Sequence, residues 1–299
     1  MTAPSTTPAV DARLEQLRGC LAQLGPVVVA FSGGADSAFL AFVAHQVLGP
    51  SGAMAVTAVS ASLAPAELQD CRALAAEWGL NYREVETRET AKPAYIANGG
   101  DRCWHCKDEL MRCVIPLAAA FSQAPGTSGS RDDGCPPARV LLGVNVDDLG
   151  EYRPGQAAAR SAGAVFPLVE AGFTKAMVRE ASRLLGLRTW DKPAAACLAS
   201  RVPYGTPVSL GTLSAVAKAE AGLRSLGFRS LRVRHYGDMA RVELPLPDLE
   251  RALAEREELV QAVRAAGYRY VTLDLEGLRS GNLNGALGNP GRSRQEVAK

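Results

Sequence analysis

Two cysteines stand three positions apart in GDRCWHCKDEL, with a histidine between them and a lysine directly after the second. This spacing occurs in zinc sites, in dithiol redox pairs and in iron–sulfur clusters. A structural zinc site would need further ligands, because no second close pair follows Cys103 and Cys106 and the ring of His105 lies inside the motif itself. A redox pair stays open, since a helix start lowers the pKa of a thiol. The local sequence does not choose among these chemistries.

A glycine-rich turn, SGGADS, connects a short apolar run to an apolar helix pattern. Unpaired backbone N–H groups and the helix dipole favour an anion at such a helix start. The turn is not a Walker A loop, because no lysine follows Gly34. A plain tight turn would need only Gly33 and Gly34. The hydroxyls of Ser32 and Ser37 and the carboxylate of Asp36 add groups that suit a polyphosphate with Mg²⁺.

The segments around this turn follow the order of a doubly wound α/β fold with a parallel sheet. PVVVAF, MAVTAVS, NYREVET and ARVLLGVNVDD are predicted strands, and helical patterns lie between them. Ligands of open parallel sheets bind beyond the carboxyl ends of the strands, so SGGADS and GVNVDD are expected to meet at one crevice. GVNVDD contributes Asn145 and Asp147 there. A further helix is predicted over 174–187, with Thr174 as its cap and Lys175 next to it.

The pattern changes in the last third of the chain, where it predicts a helix, two strands, a helix and a strand. That order suggests a second, smaller α+β domain with an antiparallel sheet. Two domains are also expected because 299 residues exceed a comfortable single core. The predicted organisation is a flexible leader at 1–12, a nucleotide-binding domain at 13–200 with an inserted loop at 122–138, a small substrate or oligomerisation domain at 201–283 and a flexible tail at 284–299.

Net charge, hydropathy and cysteine count limit the partners and the cellular location that can be expected for this chain. A net charge of +2 without dense Lys/Arg runs predicts binding to neither nucleic acid nor membranes. The N-terminus does not resemble a secretory signal, and no apolar segment approaches a membrane span, so a cytoplasmic protein is expected. Seven cysteines, an odd number, do not suggest a secreted disulfide framework. The cysteines predicted to have no role in the chemistry are Cys20, Cys71, Cys113 and Cys135.

SGGADS after an apolar strand resembles the signature of the PP-loop ATP pyrophosphatases. GVNVDD resembles the second nucleotide-proximal segment of that superfamily, and FPLVEAGFTKAMVREASRLLGL resembles the segment whose lysine, here Lys175, approaches the phosphates. Without the resemblance, Lys175 would read as a solvated helix residue. The resemblance implies a HUP-like nucleotide domain that cleaves ATP between its α- and β-phosphates and releases pyrophosphate. ATP and Mg²⁺ are the implied cofactors, with Asp36 at the Mg²⁺.

KPAAACLASRVPYG, which contains Cys197, resembles a hallmark of one branch of that superfamily, the LarE family. GDRCWHCK, RVRHYGDMARVEL and LDLEGLRSGNLN match as well, so the resemblance spans nearly the whole chain. It implies an ATP-dependent sulfur transferase of nickel-pincer nucleotide biosynthesis that forms homo-oligomers. The implied substrate is pyridinium-3,5-biscarboxylic acid mononucleotide. Its carboxylates are adenylated in turn, attacked by Cys197 and released as thiocarboxylates.

Two kinds of sulfur supply are implied by the family. In one, a lone cysteine gives up its own sulfur and becomes dehydroalanine. In the other, three cysteines hold a [4Fe-4S] cluster whose open iron carries an extra sulfide. Cys103, Cys106 and Cys197 resemble the three-cysteine type, because three thiolates leave one iron free for chemistry. The sacrificial use of Cys197 competes with that interpretation, since the same residue serves both.

An anionic nucleotide substrate calls for arginines that bind it bidentately. Candidates near the cysteine loop and on a predicted strand are Ser200, Arg201, Arg232 and Arg234. Alternation in LRVRHY places Arg232 and Arg234 on one face, although an exposed basic face would give the same pattern. The roles of four further residues stay open at this stage: Trp104, His105, Glu220 and Glu243.

Three other functions fit parts of the pattern. A tRNA thiolase also combines a PP-loop with CxxC and a cluster, but it should carry a basic surface for phosphate contacts. An ammonia-dependent ligase of the NAD or GMP synthetase type has no need of Cys197. A non-catalytic nucleotide sensor would leave Asp36 and the three cysteines unexplained.

Overall fold

The computed structural model describes residues 8–123, 137–149, 153–193 and 197–279. Most of the predicted leader at 1–12, most of the inserted loop at 122–138, Cys135 and the whole predicted tail at 284–299 lie outside the described residues. Residues 8–12 belong to the first helix, which begins at Pro8 and so takes in the end of the predicted leader.

Strands and helices alternate along the first two thirds of the chain. The strands are β1 (Val27–Ala30), β2 (Ala53–Val59), β3 (Asn81–Glu86), β4 (Arg139–Leu142), β5 (Arg232–Tyr236), β6 (Met239–Glu243) and β7 (Tyr270–Leu273). The helices are α1 (Pro8–Leu24), α2 (Ala35–Gly52), α3 (Pro65–Glu77), α4 (Pro93–Ile96), α5 (Arg102–Ser122), α6 (Pro154–Ser161), α7 (Pro167–Glu170), α8 (Lys175–Leu184), α9 (Leu210–Ser225), α10 (Leu249–Ala254) and α11 (Arg256–Ala265). Short 3₁₀ turns lie at Glu89–Ala91, Val146–Asp148, Leu198–Arg201 and Leu246–Asp248.

The chain forms two compact units. The first comprises the described parts of Met1–Ser60, Pro65–Glu89 and Cys103–Ala195, and the second comprises those of Ala61–Ala64, Thr90–Arg102 and Ala196–Lys299. Two short segments from the first half of the chain therefore belong with the second unit, whereas the sequence placed a single boundary at residue 200. Backbone hydrogen bonds account for this difference, since Leu198 N donates to Ser62 O and Val208 N donates to Ile96 O, both at 2.8 Å. We call residues 90–102 the strap.

The first unit is built on a four-stranded sheet in the order β3-β2-β1-β4. Every pairing in it is parallel, with Val27 opposite both Ala53 and Arg139. Parallel neighbours require crossover connections, and the helices between successive strands supply them. The predicted doubly wound α/β fold of the PP-loop type is confirmed.

Alternate residues of the strands pack on opposite faces of this sheet. Val27 and Val29 of β1 belong to a core with α1, α2 and α8. Val28, between them, belongs to a second core with β4, α5 and α6. Successive side chains of a strand point to opposite faces, so helices cover the sheet on both sides. The carboxyl edge of the strands is the place left for a ligand.

The second unit contains a three-stranded sheet in the order β5-β6-β7. β5 and β6 form an antiparallel hairpin across Gly237, which has a φ of +61°. β6 and β7 are parallel, with Met239 opposite Tyr270, so the predicted all-antiparallel sheet is wrong. The reason lies in the connection, because α10 and α11 return the chain to the start of the sheet before β7 begins. These two helices replace the single helix predicted there.

Within the part of the chain that the structure describes, no helix is both long and apolar enough to cross a membrane.

Candidate active site

The glycine-rich turn leaves an open helix start at the carboxyl end of β1. α2 begins at Ala35 with Gly34 as its N-cap, and glycine has no side chain to accept from the first N–H groups. The turn is closed from within by the Ser32 hydroxyl, which lies 3.0 Å from the Ser37 hydroxyl, and by Ser32 N, which donates to Ser37 Oγ at 3.2 Å. Ser37 Oγ also donates to Gly34 O at 3.2 Å. An anion at this end would meet N–H groups and the positive end of the helix dipole.

Two glycines are required by the close packing of this turn. Gly33 has a φ of +67°, and a Cβ there would lie 2.8 Å from the buried Cys71 Sγ. Gly143 follows β4, and a Cβ there would lie 2.7 Å from Ser37 N. The GVNVDD segment therefore lies directly against the first turn of α2, as the sequence predicted for the two strand ends.

Asp36 and Asn145 meet across this contact. Asn145 Nδ2 donates to Asp36 Oδ1 at 3.1 Å, and Asn145 is fully buried. Burial raises the pKa of Asp36 and the nearby charge of Asp148 adds to the rise, while the bond from Asn145 and the charges of Lys175 and Arg179 oppose it. A half-buried carboxylate beside an open helix start is a hard oxygen ligand of the kind that Mg²⁺ takes near phosphates.

Lys175 is fixed next to the same carboxylates. It is the first residue of α8, whose cap Thr174 accepts from Met177 N at 3.2 Å. Lys175 N donates to Asp147 Oδ2 at 2.7 Å, and its Nζ lies 2.9 Å from Asp148 Oδ1. Asp147 thus holds the start of α8, and the buried Asp148 holds the ammonium group.

Asp148 was not predicted as a site residue. The exposed Asp147 was predicted instead, although Asp148 is the buried member of the pair and also bonds Arg153 Nη2 at 3.0 Å. Two adjacent aspartates after a strand were the available signal, and the pattern did not distinguish them.

The CxxC motif occupies the first turn of α5. Cys103 is exposed and Cys106 is half-buried, and residues three apart on a helix share a face. Trp104 is 37% exposed, so it does not fill the core. Both cysteines belong to the first unit, whereas Cys197 is exposed in the second unit. Across the four described stretches of the chain, no group of three or more His, Cys, Asp or Glu side chains is arranged to hold a metal ion.

The strap fixes the backbone that follows Cys197. Asn98 is fully buried with a φ of +56°, and its Nδ2 donates to Pro203 O at 2.8 Å and Thr206 O at 2.9 Å. Arg102 Nη1 donates to Asn98 Oδ1 at 2.5 Å and to Ala199 O at 2.8 Å. A residue other than glycine keeps a left-handed backbone conformation only where its surroundings stabilise it. These hydrogen bonds stabilise that conformation at Asn98.

The predicted substrate residues gather within the second unit. Arg201 Nη1 donates to Ser200 Oγ at 3.0 Å, and Arg234 Nη1 donates to Ser200 O at 2.8 Å. Arg232 donates to Arg279 O at 2.8 Å. Burial lowers the pKa of Arg232, and the charges of Arg234 and Arg201 lower it further, so the three cations act on one another.

Two buried glutamates form ion pairs with two arginines of this cluster. Arg201 Nε lies 2.7 Å from Glu220 Oε1, and Arg234 Nη2 lies 2.9 Å from Glu243 Oε2. The sequence left both glutamates without a role, and the structure makes them the partners of the arginines. Removing one member of such a pair leaves a buried charge uncompensated, at about 3–5 kcal/mol, so these arginines also support the fold.

Comparison with known proteins places the chain among relatives of nearly equal length. It is 36% identical over 271 residues to the pyridinium-3,5-bisthiocarboxylic acid mononucleotide synthase of Lactiplantibacillus plantarum, covering 91% of this chain and 93% of that protein. The chain belongs to the LarE family. It is also 43% identical to an uncharacterised protein of Synechocystis sp., over 93% of this chain and 99% of that protein. An uncharacterised protein of Methanocaldococcus jannaschii is 23% identical over 85% of this chain and 91% of that protein.

The family model described as NAD synthase matches residues 12–100, which include the glycine-rich turn and the first three strands. That match and the LarE relative together make the chain an ATP-using enzyme of the PP-loop type. In this LarE-family chain, the open start of α2, Asp36, Asn145 and Lys175 lie in one unit.

Proposed function

We propose that this LarE-family chain adenylates the carboxylates of pyridinium-3,5-biscarboxylic acid mononucleotide and converts them to thiocarboxylates in nickel-pincer nucleotide biosynthesis. The observation that carries the proposal is the 36% identity over 91% of the chain to a protein named for the bisthiocarboxylic product. The open helix start with Asp36, Asn145 and Lys175 supports the ATP-dependent half of the reaction.

In the first half-reaction, a substrate carboxylate oxygen attacks the α-phosphorus of ATP. The new bond joins that oxygen to phosphorus, the bond to the β-phosphate oxygen breaks, and pyrophosphate leaves with the electron pair. Gly33 and Gly34 let the phosphates approach the backbone, and Lys175 offsets their charge. Asp36 would hold Mg²⁺, which supplies positive charge to the phosphate oxygens when it is bound.

The second unit supports the recognition of an anionic substrate. Glu220 also pairs with Arg224 and Glu243 also pairs with Arg241, so arginines outnumber the carboxylates that pair with them in the described part of this unit. The cluster of Arg201, Arg232 and Arg234 therefore keeps an excess of positive charge. Guanidinium groups bind carboxylates and phosphates in a bidentate manner. We infer that the cluster binds the substrate and that Ser200, which contacts two of its members, adds a hydroxyl.

In the second half-reaction, sulfur displaces AMP. If Cys197 is the donor, its thiolate attacks the acyl carbon and AMP leaves with the electron pair of the broken bond. A base then takes the Cα proton of Cys197, and the electron pair of that C–H bond forms the Cα–Cβ double bond of dehydroalanine. The Cβ–S bond breaks in the same step, and its electron pair leaves with sulfur on the product as a thiocarboxylate. The exposed position of Cys197 is compatible with this attack.

Sulfur can instead come from a [4Fe-4S] cluster on Cys103, Cys106 and Cys197. We favour this source over the sacrifice of Cys197. The CxxC pair suits it, since both thiols lie on the first turn of α5, where the helix dipole favours anionic ligands. Such a cluster would supply an iron with an open coordination position for an external sulfide. Homo-oligomer formation stays a prediction.

Pyrophosphate release tests the proposed activity. Purified full-length protein with ATP and Mg²⁺ is offered the pyridinium biscarboxylate mononucleotide, tRNA, ammonia with a carboxylate acceptor, or no second substrate. We expect release only with the pyridinium nucleotide. Release with tRNA or with ammonia would instead identify a tRNA thiolase or a ligase, and ATP binding without any release would indicate a nucleotide sensor.

Iron content separates the two sulfur sources. Protein purified without oxygen is expected to contain near-stoichiometric iron and acid-labile sulfide, and Cys103→Ala is expected to lose both. Cys113→Ala is the matched control, because Cys113 lies on the same helix α5 outside the CxxC motif. Iron absent from the parent protein, or unchanged in Cys103→Ala, would leave Cys197 as the donor.

A further inference from the structure

An ion-pair network borders the glycine-rich turn on the side of α3. Lys192 Nζ lies 2.8 Å from Glu67 Oε2 and also bonds Asp70. The same nitrogen lies 3.7 Å from the point that a Cβ on Gly33 would occupy. The ammonium group is therefore next to the backbone of the turn, on the side where Cys71 also packs.

The backbone that carries Lys192 is tied to α8. Arg179 Nη2 donates to Lys192 O at 3.1 Å, and Arg179 Nη1 donates to Trp190 O at 3.4 Å. Arg179 follows Lys175 by one helical turn, so the two lie on one face of α8. The helix that begins with Lys175 thus also fixes the position of Lys192.

The charge state of Lys192 is secured by its two partners. Burial acts to lower the pKa of its ammonium group, but the bonds to Asp70 and Glu67 outweigh this effect and raise it. The side chain is only 16% exposed. Lys192 is therefore charged, mostly shielded from water and next to the glycine-rich turn. An ammonium group in such a place can bind phosphate strongly.

We propose that Lys192 is a second phosphate-binding lysine of this enzyme, which contacts the β- and γ-phosphates of ATP that leave as pyrophosphate. Glu67 and Asp70 hold its ammonium group beside Gly33 before the nucleotide arrives. The proposal rests on the proposed function, because it assumes that ATP binds at the glycine-rich turn.

Arg188 provides a matched control for this role. Its Nη1 lies 2.7 Å from Asp70 Oδ1 and its Nε lies 2.9 Å from Glu77 Oε2, so it belongs to the same network. Its side chain is 43% exposed, and the three atoms nearest to the Cβ position at Gly33 belong to Cys71 and Lys192, not to Arg188. A purely structural network would respond similarly to the loss of either cation.

The experiment measures calorimetric binding of ATP and of AMP to the full-length protein with Mg²⁺. Lys192→Met is expected to weaken ATP binding about 10-fold to 100-fold, as for a lost hydrogen bond to a charged group, and to leave AMP binding within about twofold. Arg188→Met is expected to leave both within about twofold. Equal losses for ATP and AMP, equal losses in both variants, or no loss in Lys192→Met would overturn the assignment.

A second variant tests the role of Lys192 even if the Lys192→Met protein does not fold. The double substitution Glu67→Gln and Asp70→Asn keeps amide oxygens that can accept from the lysine but removes the negative charges that compete with phosphate, so ATP affinity should be unchanged or higher. A fall in ATP affinity there would indicate a structural network. A parent protein that binds no ATP would refute the proposed function itself, whereas ATP binding by the parent without an effect of Lys192→Met refutes only the role of Lys192.

Discussion

Asp36→Asn is expected to lower ATP-dependent pyrophosphate release by about 10²–10³-fold, the usual effect of removing one group that stabilises transition-state charge. Asparagine preserves the shape of the side chain beside Asn145 but removes the negative charge that would hold Mg²⁺. The measurement is the rate of pyrophosphate release at several Mg²⁺ concentrations. Saturation by Mg²⁺ should be lost together with the rate.

Because the pKa of Asp36 is raised, the direction in which Mg²⁺ affinity changes with pH can be predicted. A carboxyl group with a raised pKa keeps its proton to a higher pH than ordinary aspartate, and Mg²⁺ requires the unprotonated form. Apparent Mg²⁺ affinity should therefore fall on acidification at a higher pH than an exposed aspartate would give. Burying this carboxylate also opposes folding once the pH exceeds the ordinary aspartate pKa, so Asp36→Asn should unfold at no lower urea concentration than the parent at neutral pH.

Asp11→Asn is the control for Asp36→Asn. Asp11 lies exposed in the first turn of α1, and it belongs neither to the glycine-rich turn nor to the GVNVDD segment. Its substitution should leave both the rate and the Mg²⁺ dependence unchanged. An Asp36→Asn protein that releases pyrophosphate at the parent rate with unchanged Mg²⁺ saturation would remove Asp36 from the nucleotide site.

Cys197→Ala is expected to stop thiocarboxylate formation entirely while pyrophosphate release on the first turnover stays within about threefold of the parent, since adenylation needs no thiol. The local backbone should persist, because Ser200 Oγ donates to the carbonyl oxygen of residue 197 rather than to its side chain. The two products are measured in the same reaction, pyrophosphate by a coupled assay and thiocarboxylate by mass spectrometry. The ratio of the two products reports sulfur transfer alone.

Mass spectrometry of the protein after turnover adds a second result. Parent protein that has given up its own sulfur should carry dehydroalanine at position 197, whereas protein supplied by external sulfide should keep an intact cysteine. Cys113→Ala controls for loss of an unrelated thiol and should match the parent in both products. Thiocarboxylate made by Cys197→Ala would refute every mechanism proposed here for sulfur delivery.

The features that could be predicted from the sequence are those determined by residues close together in the chain or by general rules of parallel sheets. Strand, glycine turn and buried helix follow one another within about one βα unit, so their order can be predicted from the local sequence. The meeting of Asp36 with Asn145 was also predictable, because parallel strands end at one edge of a sheet. These features need no knowledge of distant contacts.

The parts that could not be predicted depend on partners far away in the chain. Periodicity put Arg232 and Arg234 on one face of a strand, but it gave no sign that Glu243 neutralises Arg234 from the neighbouring strand. The direction of β7 depends on where the preceding helices return the chain, which the strand's own residues do not encode. Lys192 lies in a proline-containing loop, where no periodic pattern identifies the side that faces α3.

The strap has a consequence for synthesis on the ribosome. Residues 90–102 emerge early, yet the carbonyl groups that Asn98 binds belong to Pro203 and Thr206, more than a hundred residues later in the chain. A nascent chain can therefore complete the parallel sheet of β1 to β4 while the strap stays hydrated and unpaired. The segment after Cys197 can acquire these bonds only when residues 203–206 have been translated, so it is held in place later than the sheet.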